Sequence, residues 1–200
     1  MWKLLVILSA TVLNAALGAN ILFVTVLPSP SHHIWHETIV EGLLRNGHNV
    51  TLIGHGKPAI KSANYTMLQI EIEDLLSDES KAEIVDSFQQ PFLLAQIEMW
   101  KFTVDLAKHD LDSPILTRLM EYPADSFDVI VYDMIVQHLL PLADHFGKIP
   151  IVGTSPYGSN PILAESFGHH FYTYFPNSAL PYTVRAPFLH LFPQFSFAVH

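Results

Sequence analysis

The sequence contains no cysteine and few charged residues. The absence of cysteine excludes disulfide frameworks, cysteine-ligated zinc, iron–sulfur clusters and thiol nucleophiles. Charged side chains make up 14% of the 200 residues, and 10 Lys and Arg stand against 19 Asp and Glu, which gives a formal net charge of −9. The chain therefore lacks the basic surface that nucleic-acid binders use. We expect no nucleic-acid partner.

Several catalytic and cofactor motifs are also missing. The sequence has no G-x-G-x-x-G after its first strand-like segment, no P-loop and no HExxH zinc motif. Residues 153–158 (GTSPYG) do not have the G-x-S-x-G spacing of a hydrolase nucleophile elbow. These absences argue against a dinucleotide-binding, nucleotide-hydrolysing, zinc-protease or serine-hydrolase function.

Residues 1–18 have the pattern of a secretory signal peptide. Lys3 gives a basic start, an apolar run follows from Leu4 to Leu13, and Ala16 to Gly18 form a small-x-small cleavage site. A buried amino-terminal helix or a retained anchor is the alternative interpretation. The pattern predicts entry into the secretory pathway.

Two tripeptides match the acceptor pattern for N-glycosylation, at Asn49 and Asn64. Asn64 lies in polar, loop-like sequence, whereas Asn49 opens a predicted strand. We expect Asn64 to be the better acceptor, because sequons are modified on accessible surface.

The first half of the chain has the pattern of a βαβ unit. Residues 19–27 (ANILFVTVL) are an apolar run typical of a strand buried on both faces, and residues 50–53 form a second such run. Between them, residues 32–46 have apolar side chains at helical spacing, with Ser31 as a candidate N-cap and Gly47 as a candidate C-cap. A βαβ unit of this kind winds right-handed into a parallel sheet.

The following segments continue the alternation of helix and strand. They comprise two or three helices in 74–119, including the run 80–110 that Pro91 interrupts, a strand at 127–132, a helix at 135–146 and a strand at 149–154. The fold class that this order predicts is a doubly wound α/β domain over about residues 19–155.

The composition changes in residues 151–200. This segment has two charged side chains, Glu165 and Arg185, and 11 of the 20 Phe and Tyr residues. Such a segment would leave a large apolar surface in water if nothing covered it. Either it lines an apolar pocket on the α/β domain, or it is covered by a part of the protein outside this sequence.

His32 and Asp133 are the strongest candidates for chemistry. His32 follows the first strand and Asp133 follows the strand at 127–132, so both reach the same edge of a parallel sheet, where α/β folds bind ligands. A histidine beside a carboxylate is held in one tautomer and can act as a general base. The alternative is that His32 only caps its helix or packs, and that Asp133 only caps the helix that follows it.

Two histidine groups have weaker interpretations. His32, His33 and His36 resemble part of a metal site because positions 32 and 36 share a helix face, but no third ligand is evident in the sequence. We therefore expect no metal. His169 and His170 lie among aromatic residues and could line a pocket or simply pack.

The residues 19–54 (ANILFVTVLPSPSHHIWHETIVEGLLRNGHNVTLIG) resemble the opening of animal UDP-glycosyltransferases, especially those of insects. The matching features are the strand, the Ser-His at its end and the R-x-G-H-x-V-T before the second strand. Residues 127–155 (FDVIVYDMIVQHLLPLADHFGKIPIVGTS) resemble the second landmark of that family, an Asp after an F-D-x-I strand. The resemblance extends over residues 1–183.

The resemblance implies a fold and a catalytic pair. The fold is the Rossmann-like, acceptor-binding amino-terminal domain of a GT-B glycosyltransferase. His32 would deprotonate the hydroxyl of a lipophilic acceptor, Asp133 would stabilise the resulting charge, and the oxygen would displace UDP with inversion. Acceptor contacts are expected from Ser31, His33, Trp35, Tyr157, His169 and His170.

The resemblance also implies partners and location. The co-substrate is UDP-glucose or UDP-glucuronate, held by a carboxyl-terminal domain that this sequence does not contain. The acceptor is a phenol, flavonoid, steroid or plant toxin. The expected location is the lumen of the endoplasmic reticulum, on its membrane through an anchor beyond this sequence, with dimers of transferase chains.

These implications divide the chain into a signal peptide at 1–18, an acceptor-binding domain at 19–183 and an atypical tail at 184–200. The 200 residues are then the acceptor half of the enzyme, and we expect them to transfer no sugar alone. The alternative is a secreted or lumenal module without catalytic activity that binds lipophiles or pairs with a full-length transferase.

Overall fold

The computed structural model describes residues 18–72 and 89–156, together with residues 76, 77, 82, 84 and 86. Its centre is a five-stranded parallel sheet with the strand order β3-β2-β1-β4-β5. The strands are β1 (Asn20–Thr25), β2 (Asn49–Gly54), β3 (Tyr65–Gln69), β4 (Val129–Asp133) and β5 (Ile151–Thr154). The predicted α/β class with a parallel sheet is confirmed.

Four helices lie entirely within the described residues: α1 (Pro30–Arg45), α2 (Phe92–Leu111), α3 (Pro114–Met120) and α4 (Leu142–His145). None of them is long and apolar enough to cross a membrane. The helix α2 begins directly after Pro91, where the sequence predicted an interruption. The helix α3 begins with Pro114, and the Ser113 hydroxyl caps it by accepting from the Ile115 N–H at 3.2 Å.

The ends of α1 differ slightly from the prediction. Its N-cap residue is Ser29 and its first residue is Pro30, so the prediction of Ser31 as the N-cap is wrong. Proline favours the first helical position because its fixed φ suits the helix and its missing N–H has no helical partner there. At the other end Asn46 is the C-cap and Gly47 turns the chain with a φ of 84°, which glycine adopts without strain.

The strand β1 is buried on both faces, from Ile21 to Thr25. On one face Ile21 and Phe23 pack with Val40 of α1 in a cluster that also contains buried residues of β2 and β4. On the other face Leu22 and Val24 are fully buried as well. Burial on both faces explains why this strand is a continuous apolar run without alternation.

The register of the sheet brings the carboxyl ends of three strands to one place. Phe23 pairs with Val131, and Asp133 pairs with Thr154. Because side chains alternate along a strand, Thr25 and Asp133 point to the same face as Phe23 and Val131, which is the face that α1 covers. The sheet therefore presents three polar side chains, Thr25, Asp133 and Thr154, to α1.

Two elements differ from the sequence prediction. The strand β3 was not predicted, because it is a short edge strand whose residues are mostly half-buried or exposed. The helix predicted at 135–146 is wrong over most of its length, since only Leu142–His145 is helical. Pro141 disfavours a helix through this segment, and the Leu139 N–H is donated to the buried Tyr132 hydroxyl at 3.0 Å instead of to a helical carbonyl.

Three predictions fall outside the described residues. They concern almost all of the signal peptide at 1–18, the aromatic segment after residue 156 and the tail at 184–200. They remain predictions.

Candidate active site

The helix α1 carries two buried histidines on the face that it turns to the sheet. His32 is 1% exposed and His36 is 0% exposed. Their spacing of four residues places them one above the other on the same side of a helix. The side of α1 that meets the carboxyl edge of the sheet is thus lined by imidazoles rather than by apolar groups.

His32 forms a buried hydrogen bond with Asp133. The distance between His32 Nδ1 and Asp133 Oδ2 is 2.9 Å, and the carboxylate is 1% exposed. An ionised carboxylate only accepts hydrogen bonds, so Nδ1 carries the proton that His32 donates, and in the neutral imidazole the Nε2 atom is left with a lone pair. The other carboxylate oxygen, Oδ1, accepts from the Ile135 N–H at 3.3 Å. Asp133 is oriented by two donors and orients the ring of His32.

His36 lies behind this pair and is held in the opposite tautomer. The Thr154 hydroxyl donates to the Tyr132 carbonyl at 3.1 Å, so it accepts from His36 Nε2–H, also at 3.1 Å. His36 Nδ1 then has the lone pair. It lies 3.4 Å from Thr25 Oγ1, which is placed to donate to it, and 3.8 Å from Asp133 Oδ2.

The environment of His36 favours its neutral form. Burial lowers the pKa of His36 below the ordinary value for histidine, and this effect exceeds the opposing attraction of the Asp133 carboxylate. The ring packs edge-on against Phe23, with centroids 5.4 Å apart, and against Trp35 at 4.9 Å. His36 is therefore an uncharged imidazole in this site.

The structure brings Asp133 together with both histidines, whereas sequence analysis paired it with His32 alone. Within the described part of the chain, His32, His36 and Asp133 offer ligand atoms that all lie within 4.8 Å of one another. The two histidines were recognised on one helix face, but Asp133 is about a hundred residues away in the sequence and joins them only through the pairing of β1 with β4. Thr25 and Thr154 were missed for the same reason.

The predicted acceptor-binding residues on α1 point in different directions. Ser31 is exposed on the surface. The His33 ring turns to the loop after β2, where its Nε2 lies 3.2 Å from Glu37 Oε1 and 3.3 Å from the Lys57 carbonyl. Trp35 is 40% exposed and contacts His36. Trp35 thus contacts a member of the buried group.

The remaining predicted acceptor contacts, Tyr157, His169 and His170, lie outside the described residues. Nothing in the structure tests them.

A second buried carboxylate, Asp110, lies close to histidines from three segments of the chain. It is 0% exposed, and it lies 2.8 Å from His138 Nε2, 3.0 Å from His55 Nε2 and 3.4 Å from His109 Nδ1. Burial alone would raise the pKa of Asp110, but hydrogen bonds from His138 and His55 lower it below its ordinary value. Sequence analysis did not single out this cluster, because its members share no motif and no common spacing.

Two known proteins are similar to the chain. No protein-family model matches the chain. It is 24% identical over 165 residues to an ecdysteroid UDP-glucosyltransferase of Lacanobia oleracea granulosis virus, and the match covers 81% of this chain and 35% of the viral protein. Among solved structures it is similar to the glycosyltransferase of kitacinnamycin, with 22% identity, a TM-score of 0.48 and coverage of 76% of this chain and 34% of that one.

The chain thus spans about a third of the length of both proteins that it matches. The similarity in sequence is to a glycosyltransferase that uses a UDP-sugar, in agreement with the resemblance noted above. Finer assignments of substrate, mechanism and location are proposals.

Proposed function

We propose that the chain is the acceptor-binding part of a GT-B glycosyltransferase that transfers a hexose from a UDP-sugar to a hydroxyl of a small lipophilic acceptor. The observation that supports this most directly is the buried 2.9 Å hydrogen bond from His32 Nδ1 to Asp133 Oδ2. It lies at the carboxyl ends of parallel strands, where open α/β sheets bind their ligands.

The proposed reaction uses the tautomer that Asp133 selects. His32 Nε2 removes the proton from the acceptor hydroxyl as its oxygen attacks the anomeric carbon of the sugar. The bond from that carbon to the UDP oxygen breaks with its electron pair, UDP leaves, and the configuration inverts. Asp133 stabilises the imidazolium that forms on His32 and acts as its positioning residue.

The donor and the location belong to the same proposal. The donor is UDP-glucose or UDP-glucuronate, held by a carboxyl-terminal domain of the complete enzyme, and the acceptor is a phenol, flavonoid, steroid or plant toxin. The chain enters the secretory pathway through the signal peptide predicted at 1–18 and works in the lumen of the endoplasmic reticulum. Anchoring to the membrane and dimerisation with transferase chains complete the proposal.

The decisive experiment assays the 200-residue chain and the product of the complete gene side by side. UDP release is measured with UDP-glucose and UDP-glucuronate in the presence of 1-naphthol and a flavonoid. We expect the complete product to release UDP, the 200-residue chain to release none, and H32Q to reduce the rate of the complete product by about 10²–10⁴-fold, the usual contribution of a general base.

The matched control is H48Q. His48 follows α1 at the opposite edge of the sheet, where its Nδ1 accepts from the Ala19 N–H at 3.0 Å, far from the carboxyl ends of the strands. Full activity in H32Q, or equal losses in H32Q and H48Q, would contradict the role of His32. If no product of the gene releases UDP, the glycosyltransferase proposal is wrong.

Acceptor binding is tested separately, on the 200-residue chain. Trp35 is partly exposed and contacts His36, so an acceptor bound near the two histidines should quench its fluorescence. We expect 1-naphthol to quench the wild-type chain and to have a smaller effect on W35F. Binding without UDP release by any product of the gene would favour the alternative of a lipophile-binding module.

A further inference from the structure

We propose that His32, His36 and Asp133 form a binding site for a first-row divalent transition-metal ion of the Zn²⁺ type. The three side chains are at most 1% exposed, and each offers one ligand atom within 4.8 Å of the others. The shortest approaches to the carboxylate are 2.9 Å from His32 Nδ1 and 3.8 Å from His36 Nδ1. Two imidazole nitrogens and one carboxylate oxygen are a common ligand set for such ions.

His36 is prepared as a ligand by its neighbours. Its Nε2–H is donated to Thr154 Oγ1 at 3.1 Å, and the Thr154 hydroxyl is itself fixed by the Tyr132 carbonyl. An imidazole whose other nitrogen donates a hydrogen bond is oriented in the way that is typical of metal-ligating histidines. The lone pair on Nδ1 therefore faces the carboxylate of Asp133 and the hydroxyl of Thr25.

The ion and the hydrogen bond between His32 and Asp133 exclude each other. A cation coordinated by His32 Nδ1 takes the position of the proton that this nitrogen donates to Asp133, and the neutral imidazole then carries its proton on Nε2 instead. The site thus has two alternative occupants, a proton or a metal ion. If His32 is the base of the proposed function, the metal-bound form is inactive; this consequence depends on the proposed function, whereas the binding itself does not.

The chemistry of the ligands also predicts selectivity. Mg²⁺ and Ca²⁺ prefer sites built entirely from oxygen, and Mg²⁺ keeps several waters, so a group with two imidazoles in a buried position should not hold them. Zn²⁺ and Co²⁺ accept nitrogen and oxygen ligands together, with water in a remaining position.

The test measures metal binding directly and needs no sugar transfer. The untagged 200-residue chain is titrated calorimetrically with Zn²⁺ and with Mg²⁺, because a histidine tag would add ligands. We expect one Zn²⁺ site and no heat from Mg²⁺. X-ray absorption of the zinc-loaded wild-type chain should show two imidazoles in the coordination shell.

Two matched substitutions locate the site. H36Q removes one ligand of the proposed site, and H138Q removes a histidine from the other buried cluster, where it contacts Asp110. We expect H36Q to weaken Zn²⁺ binding by at least about tenfold, since loss of even an outer partner of a metal ligand has an effect of this size. H138Q, at a separate site, should change it by less than about threefold.

The outcomes separate the proposal from its rivals. Unchanged Zn²⁺ affinity in H36Q, or loss of binding in H138Q alone, overturns the proposal. If H36Q does not fold, as judged by circular dichroism, the wild-type spectrum decides: a coordination shell with fewer than two imidazoles, or no Zn²⁺ site at all, also overturns it. Zn²⁺ binding by the 200-residue chain, together with no UDP release by any product of the gene, would support the metal site while contradicting the proposed function.

Discussion

Asp133 and Thr154 are paired across β4 and β5, and their side chains contact two different histidines of α1. Asp133 accepts from His32 and Thr154 accepts from His36. The pairing of these two residues thus fixes the two imidazoles in opposite tautomers. His32 is protonated on Nδ1, and His36 is protonated on Nε2. The arrangement explains how the N–H groups of two adjacent buried histidines each find an acceptor without sharing a proton.

This pairing predicts that Thr154 matters for stability. T154V removes the hydroxyl that accepts from His36 Nε2 and donates to the Tyr132 carbonyl. Leaving buried polar groups unsatisfied should lower the free energy of unfolding by about 1–3 kcal/mol. Urea unfolding measures the loss. T66V, at an exposed position of β3, is the control, and an equal effect of the two substitutions would contradict the role given to the Thr154 hydroxyl.

The geometry of the proposed dyad predicts a specific kinetic signature for Asp133. D133N keeps the shape of the side chain but removes the charge that stabilises an imidazolium on His32. In the active product of the gene we expect kcat to fall by about 10²–10⁴-fold, with little change in KM for the acceptor, because the group acts in the chemical step.

D144N is the matched control for D133N, because Asp144 is exposed on α4. It should leave both kinetic constants unchanged. A rise in KM without a fall in kcat for D133N would assign Asp133 to acceptor binding rather than to proton transfer.

The parallel sheet was predictable because its inner strands are continuous apolar runs in the sequence. Both faces of β1 are covered, so residues 20–25 show no alternation, and the helix between β1 and β2 has a clear apolar periodicity. The strand β3 was not predictable on the same basis, since an edge strand buries little. The prediction of a helix at 135–146 was wrong because of a tertiary contact, in which the Leu139 N–H donates to the Tyr132 hydroxyl.

The site was predictable only in part. His32 and Asp133 follow strands, and parallel strands bring their carboxyl ends together, which was enough to pair them. Local sequence does not show that β4 lies beside β1 while β5 lies beyond it, and this order is what places Thr154 next to His36. The cluster around Asp110 depends in the same way on contacts between distant segments.

The structure favours Asn64 over Asn49 as a glycosylated residue. Asn64 is exposed in the turn before β3. Asn49 begins β2, and its side-chain nitrogen, the atom to which a glycan would be attached, donates to Asn20 Oδ1 at 2.9 Å. For the chain secreted from eukaryotic cells, we expect that an amidase that removes N-linked glycans shifts the gel mobility of the wild type. N64Q should abolish this shift, and N49Q should not. A shift lost only in N49Q would reverse this assignment.

Asp110 should be important for the stability of the described domain. It accepts from His138 Nε2 at 2.8 Å and lies 3.0 Å from His55 Nε2, and removal of its charge would leave these two imidazoles without their anion. We expect D110N to lower the free energy of unfolding at pH 7 by about 3–5 kcal/mol, as is typical when one partner of a buried pair is removed. D112N, an exposed position two residues further on, should lower it by less than about 0.5 kcal/mol.

The lowered pKa of Asp110 also predicts how this contribution depends on pH. A carboxyl group with a lower pKa in the folded state than its ordinary 3.8 binds fewer protons when folded than when unfolded. Its stabilising contribution is therefore complete above the unfolded value and is lost as the pH falls through the folded value. Four groups face Asp110, and three of them are the imidazoles of His55, His109 and His138. The fourth, Tyr132, has a pKa raised by burial and stays neutral.

Urea unfolding of the wild type and D110N, repeated from about pH 5 down to about pH 3, should show a difference in unfolding free energy that shrinks as the pH falls. The difference between the wild type and D112N should stay small throughout. A difference for D110N that is independent of pH over this range would mean that Asp110 stabilises the fold through packing and not through its charge.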